Sequence, residues 1–443
     1  MELAHAGSAA IDDPNARPTT PLPTRQLVRL SLYWFGLSSI FIGVTQILQG
    51  RIQFAGLGER GSEGTTLLAL NVIAAVVAAL VQPTIGSISD YTISRWGRRK
   101  PYIFIGTLLD VVFLYGIATS NTIIAIAAFM VLLQVSSNFA QGPFQGYVPD
   151  LVPTKQVGLA SAFVGLFQVL GNAAGFGIGS LAVATDSFFL GTMALGVLEV
   201  ATMLSVVIRV SEGRAAKPRG GRSWFAVARE AWGLDILRER SFIWLVGSRW
   251  FFLMGTNMII NLSIFYFAQT FGMSQDETGG TNLFVLLAVI GGNVLTVMPA
   301  GRLSDRIGRK PLIYAACAIA GTGMLIIALA PSVAVVVAGA ALLGAGSGMF
   351  LAVDWALMTD IIPKASSGRY MGISNVATAT AGIVALAAGG RLMDVVNGVL
   401  GYGAGPRAAF LLAVGFFALG ALLLRPVVEP SRGDGAAAVT ATA

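Results

Sequence analysis

Gly86-Ser-Ile-Ser-Asp90 followed by Gly97-Arg-Arg-Lys-Pro101 returns later in the chain as Gly301-Arg-Leu-Ser-Asp305 followed by Gly308-Arg-Lys-Pro311. The aspartates lie 215 residues apart and the prolines 210. The difference is a five-residue insertion within Tyr91–Trp96 of the first copy. A second pair runs alongside: Asp150-Leu-Val-Pro153 matches Asp360-Ile-Ile-Pro363, again at an offset of 210. Two matched signatures at a nearly constant offset mark a duplicated half.

The text between the signatures says what kind of half it is. The chain is 55% hydrophobic and only 12% charged, too little charge to cover a soluble domain of this size. Its apolar residues fall in runs long enough to cross the hydrocarbon core as helices of roughly 20 residues. Twelve spans are expected, at 28–48, 66–88, 102–119, 122–147, 157–183, 187–209, 241–269, 281–303, 312–330, 333–358, 369–390 and 407–425. Joints such as Ser120-Asn121 and Ala184-Thr185-Asp186 are short and imply antiparallel neighbours. The runs lack the period-2 alternation of a β-barrel. The expected fold is all-α: twelve transmembrane helices in two parallel six-helix repeats. The reading gives a disordered tail over 1–25, bundles over 26–210 and 241–428, a linker over 211–240 and a second tail over 429–443. Within the linker, Trp224–Leu237 reads either as an amphipathic surface helix or as plain connection.

The net charge of +7 raises the question of nucleic acid, and its distribution answers it. Of the 29 Lys and Arg, only Arg51, Arg60, Arg391 and Arg407 fall in odd-numbered joints or at the span ends that border them, and Arg249 lies inside span 7. All the others fall in even-numbered joints, in the tails or at the span ends that border these. Positive charge stays cytoplasmic, so both termini are expected inside, in a multi-pass protein of the plasma or inner membrane. No nucleic-acid partner is expected. Residues 1–24 lack an apolar h-region and read as a tail, not a signal peptide. The single cysteine, Cys317, lies in span 9, and the single histidine, His5, in the tail. A His-based triad, metal site or proton relay within the bundles is thereby excluded, and no enzyme, metal or cofactor is expected.

Polar side chains are costly inside a bilayer, so a run of them on one helix face points to a cavity or a packed interface. Gln134, Asn138, Gln141 and Gln145 step by four, three and four along span 4 and form one stripe. Asn257 and Asn261 do the same on span 7, Gln46 lies in span 1, and Asp354 stands beside Trp355 in span 10. Four ionisable groups are deep: Asp110, Glu199, Arg249 and Asp354. A buried carboxyl is a candidate for loading a proton. Asp354 is the first choice, modulated by Arg249 or structurally paired with it; Asp110 is second; Glu199 reads as structural. Gly171, Gly175 and Gly179 form a small-residue face for close helix approach, where spans slide during rocking.

The duplicated G-x-x-x-D…G-R-[RK]-x-P loops, with the Asp150 and Asp360 pair, resemble the major facilitator superfamily over about residues 25–428. Ser89-Asp90 through Ser94-Arg95 to Gly97-Arg98-Arg99 and Pro101, with Gln141-Gly142-Pro143 and Asp150, resembles more narrowly the sucrose/proton symporters and the glycoside–pentoside–hexuronide cation symporters. One departure stands out: Leu159 occupies the place where the second half has Arg369. The resemblance implies that spans 1, 4, 7 and 10 line a central cavity. Gln46, Gln134, Asn138, Gln141, Gln145, Asn257, Asn261, Asp354 and Trp355 are then candidate solute contacts. Amides and a carboxylate suit sugar hydroxyls, and an indole face suits a sugar ring. Asp354, Asp110 and Arg249 are candidates for coupling. Asp90, Arg98 and Asp150, with Asp305, Arg309 and Asp360, are expected to latch the cytoplasmic side; helix-end charge complementation is the plainer reading. The expected function is secondary active transport of a small hydrophilic solute, a sugar or glycoside, coupled to H+ or Na+ in a monomer. Proton-driven export of amphipathic compounds is the alternative.

Overall fold

The structure, a computed structural model, describes residues 20–89, 91–92, 94–153, 156–210, 212, 240–361 and 367–429, with some side chains inside the helices left out. Among these residues the chain forms twelve long helices and one short one. They are α1 (Thr24–Phe54), α2 (Glu63–Ser89), α3 (Lys100–Thr119), α4 (Ile123–Gln145), the short α5 (Tyr147–Leu151), α6 (Val157–Ala184), α7 (Phe188–Arg209), α8 (Arg240–Phe265), α9 (Gln275–Ile307), α10 (Lys310–Leu329), α11 (Val333–Ile361), α12 (Ser367–Leu400) and α13 (Gly405–Leu423). A π turn, Tyr266–Thr270, continues α8. Eleven of the long helices, counted over the described residues, are long and apolar enough to cross a membrane. The twelfth is α2, 27 residues of continuous helix. Residues 1–19, 430–443 and the Trp224–Leu237 segment lie outside the described residues; the expected first tail is corrected at its end, because α1 already begins at Thr24.

Several helices outrun their apolar windows. α1 has 31 residues, about 46 Å of helix against roughly 30 Å of hydrocarbon. It continues through Gln49 and Arg51, which the apolar run had excluded. α12 passes through Gly389-Gly390-Arg391, taken in the sequence as its end, and stops only at Leu400. Span 4 is shorter than expected. Pro143 lacks an amide hydrogen, α4 stops at Gln145, and α5 follows as a separate turn.

The starts and stops follow local chemistry. Pro101 and Pro311 occupy the first turns of α3 and α10, where a missing amide hydrogen costs nothing. Thr122 caps α4, its hydroxyl accepting from the Ala125 amide at 3.3 Å. Gly97 and Gly308 hold φ of +118° and +98°, which is why both copies of the loop carry glycine there. Arginines in odd-numbered joints also have local work. Arg51 donates to the carbonyls of Ile117 (2.7 Å) and Ser120 at the end of α3. Arg407 donates to that of Ala330 (2.7 Å) just past the end of α10. Both satisfy carbonyls that a helix end leaves unpaired.

The described residues divide into two compact units. The first runs to Glu59, resumes from Thr66 to 212, and includes Gln275–Gly280; the second holds Arg60–Thr65, Arg240–Ser274 and the chain from Thr281 on. In the first unit α1 packs on α6 and α7, α3 on α4 and α7, and α6 on α7. In the second α8 packs on α12 and α13, α10 on α11 and α13, and α12 on α13. These are the same five pairings in each unit, so the repeat read from the loops extends to the packing of the helices. The glycine stripe of α6 faces α1: a Cβ at Gly175 would come within 2.2 Å of the Ser39 carbonyl oxygen. That close approach is packing inside one bundle, so the sliding surface expected there does not follow.

Candidate functional site

In the first unit the Gly97 turn delivers Arg98 and Arg99 side by side. Both guanidiniums meet the same carboxylate oxygen, Asp150 Oδ2 on α5, with Arg99 at 2.6 Å. Arg99 also donates to the Pro143 carbonyl at 2.7 Å, at the end of α4. The side chains of Arg98, Arg99 and Asp150 are 11%, 7% and 26% exposed, so this is a partly desolvated cluster and stronger than a surface pair.

A residue that the sequence reading missed completes it. Glu212, three residues past α7, accepts the backbone amides of Arg99 (2.8 Å) and Lys100 (3.1 Å) and the Tyr147 hydroxyl. Its carboxylate caps the N-terminus of α3, where the helix dipole favours negative charge. The second unit repeats the device. Glu429 accepts the amides of Arg309 (2.8 Å) and Lys310 (3.2 Å) at the start of α10. The signal was available as Val210-Ser-Glu212 and Val427-Val-Glu429, offset by 217 residues.

Of the six expected latch residues, Arg98, Asp150 and Arg309 are placed, and Arg98 and Asp150 are joined. Asp90 and the side chains of Asp305 and Asp360 lie outside the described residues. At the other end of the second unit, Asp394 of α12 accepts the amides of Gly64 (3.0 Å) and Thr65 (2.6 Å), and Tyr402 donates to Glu63 at 2.8 Å. Neither acid figured in the sequence reading, where the first lay beyond the expected end of its span.

The interior polar groups sort by unit. On α4, Asn138 is buried and donates to the Gln134 backbone oxygen (2.8 Å) and Oε1 (3.1 Å). Gln134 and Gln141 are half-buried and Gln145 is exposed. Gln46 of α1 is fully buried, and its Cβ would lie 2.5 Å from a Cβ placed at Gly179 of α6. In the second unit Arg249 of α8 pairs with Asp354 of α11, both buried, and Arg249 Nε lies 3.4 Å from Thr378 Oγ1. Asn261 donates to the Gly382 carbonyl of α12 at 3.0 Å, and Asn257 to its own helix at Leu253 (2.8 Å). The side chain of Trp355 lies outside the described residues. Asp110 and Glu199 are both fully buried in the first unit: Ser136 donates to Asp110, and Tyr33 donates to Glu199 at 3.1 Å. Among the described residues no group of three or more His, Cys, Asp or Glu is placed to hold a metal ion.

Comparison with known proteins gives the same architecture. A family model described as Major Facilitator Superfamily matches residues 30–296 and 251–440. The chain is 29% identical over 160 residues to the sucrose transport protein SUC3 of Arabidopsis thaliana, covering 30% of this chain and 27% of that one. It is 30% identical over 125 residues to a human membrane-associated transporter protein, covering 24% of this chain and 23% of that one. The matched stretches thus span about a quarter of the length of these relatives. A bacterial homologue of the human lysosomal transporter Spinster, solved in an inward-facing and occupied conformation, superposes with a TM-score of 0.70 at 13% identity, over 92% of this chain and 97% of that one.

Proposed function

The chain belongs to the Major Facilitator Superfamily, and from that premise we propose that it moves a small hydrophilic solute, of the sugar or glycoside class, by alternating access driven by an H+ or Na+ gradient. The observation that carries this reading is the amide stripe of α4. Gln134, Asn138, Gln141 and Gln145 sit on one side of a helix whose only other polar side chains are Ser136 and Ser137. Such a stripe is costly against lipid and useful against a hydroxylated solute. The likeness to a plant sucrose transport protein points the same way.

The Arg98/Arg99–Asp150 cluster ties the start of α3 to α5 within the first unit, and it suits a latch that holds that unit in the shape of one conformer. Charge-assisted bonds of about 1.5–3 kcal/mol each are strong enough to favour one conformer and weak enough to break in a working cycle. The positive charge of the even-numbered joints supports a cytoplasmic side for this cluster and both termini, in a plasma or inner membrane. In this reading Asn257, Asn261, Gln46 and Trp355 add solute contacts. Asp354, with Arg249, sets the charge of the second unit. Asp90, Asp305, Arg309 and Asp360 complete the latch in its two copies.

The test is uptake of labelled mono- and disaccharides into proteoliposomes, with and without pH and sodium gradients. Gradient-dependent accumulation of at least one sugar is expected. Efflux of hydrophobic dyes with no sugar movement would replace the reading with export of amphipathic compounds.

A further inference from the structure

Two carboxyl groups at the heart of the first unit have no counter-charge. Asp110 of α3 and Glu199 of α7 are fully buried. The groups facing them are hydroxyls. Tyr33 of α1 donates to Glu199 Oε1 at 3.1 Å and is bonded to Thr107 of α3 at 2.5 Å. Ser136 of α4 donates to Asp110 Oδ1, and Ser137 lies beside Asp110. Thr202 on α7 is turned back onto the Glu199 carbonyl at 2.8 Å. The two carboxyls are near enough to feel each other's charge, and Tyr33 feels both. Among the described residues no Lys, Arg or His forms an ion pair with either acid.

The hydrogen count is short. Each hydroxyl has one proton to give, and among the described residues Asp110 Oδ2, Glu199 Oε2 and Ser137 Oγ are buried with no donor–acceptor partner of good geometry. Two bare carboxylates side by side in such a place would repel each other, with only the hydroxyls of Tyr33 and Ser136 to offset the loss of water. One proton placed on either acid removes the repulsion and turns an unpartnered oxygen into a donor. A metal ion fits less well, because only two acidic side chains meet here, and among the described residues no group of three or more His, Cys, Asp or Glu is placed to hold one.

We propose that Asp110 and Glu199 form a two-carboxyl site that takes up and releases one proton, with Tyr33 as the hydroxyl that positions it. The proton goes onto one carboxylate oxygen and is shared with the other acid; no bond other than O–H forms or breaks. The inference deepens the transporter reading, on which it rests for its use: it makes H+ the coupling ion and assigns it to the first unit in place of the Arg249–Asp354 pair.

The test reads protonation directly and needs no solute. Purified full-length protein in lipid is examined by infrared difference spectroscopy between acidic and alkaline buffer, following the carbonyl stretch of a protonated carboxyl. The wild type is expected to show such a band. The paired variant Asp110→Asn/Glu199→Gln is expected to lose it, and each single variant to move its midpoint by tenfold or more in proton concentration. Tyr33→Phe keeps both acids and is expected to shift the midpoint less; it carries the test if the acid variants do not fold. An unaltered band in all these variants overturns the proposal. So does a wild-type band erased by sodium at constant pH, which would mark a cation site. If the band behaves as expected and no solute is ever accumulated, the site stands and the transporter reading fails. If solute accumulates on a pH gradient and the band is indifferent to these residues, the reading stands and the site fails.

Discussion

Replacing Asp150 with Asn isolates the charge of the proposed latch while keeping its shape. In the wild type, one carboxylate oxygen meets both Arg98 and Arg99, whose side chains are only 11% and 7% exposed. Each charge-assisted bond contributes about 1.5–3 kcal/mol. The neutral amide oxygen can still accept from one guanidinium, so the net loss is about one such bond, discounted because Asp150 itself is 26% exposed. That leaves roughly 2 kcal/mol, or about a thirtyfold shift in a two-state equilibrium if the cluster favours one state alone. The assay is the initial uptake rate at saturating sugar, in membranes matched for the amount of monodisperse protein. Uptake is expected to fall by about tenfold or more, and Arg98→Gln combined with Asp150→Asn to cost less than the sum of the two, as partners in one cluster do. Wild-type uptake in Asp150→Asn with normal expression would leave the cluster only a helix-end role.

Three further outcomes follow from the packing. Glu212→Ala and Glu429→Ala each remove a carboxylate from a helix start, and each should lower stability by about 1 kcal/mol in a thermal melt of the purified protein, with Gln at either site recovering part of it. Asp354→Asn removes the carboxylate that faces the buried Arg249 and should cost about 3 kcal/mol; the yield of folded protein should recover when Arg249→Gln is added, and no recovery would argue that Asp354 acts on something other than Arg249. Gly175→Leu should abolish the yield of monodisperse protein, because its Cβ would meet the Ser39 carbonyl oxygen at 2.2 Å, whereas Gly165→Ala, with nothing within 4 Å, should leave it unchanged.

The helical architecture was legible in the sequence because three signals agreed. Apolar run length is dictated by the bilayer, charge asymmetry by topology, and the Gly97 and Gly308 loops by a backbone angle that only glycine takes easily. The ends of helices were less legible. Hydropathy marks the hydrocarbon core, and α1 and α12 run on past it into polar surroundings. Arg51 looked like a joint residue for that reason and is instead the cap of a neighbouring helix. Of the candidate site, the Arg98–Asp150 pair could be anticipated from opposite charges in matched motifs, and Arg249–Asp354 as two opposite charges deep in the same half. Glu212 escaped because a lone acid after a span has no periodicity, and its meaning comes from the amides of Arg99 and Lys100, more than a hundred residues earlier. Glu199 was legible as a deep ionisable group and read as structural, but its neighbours were not. On its own helix it looks isolated, and only the packing of α7 against α1 and α3 brings it to Tyr33 and Asp110.

A wet centre that opens to either side is the claim on which the transport reading stands, and cysteine accessibility tests it. Cys317 is buried and gives a quiet background. With Gln141→Cys and Asn257→Cys introduced separately, a membrane-impermeant thiol reagent is applied first from outside sealed vesicles and then from within. Labelling of at least one position from each side, altered by the transported sugar, is expected. If neither position is ever labelled from either compartment in well-folded protein, there is no such centre, and the proposal of alternating access is wrong.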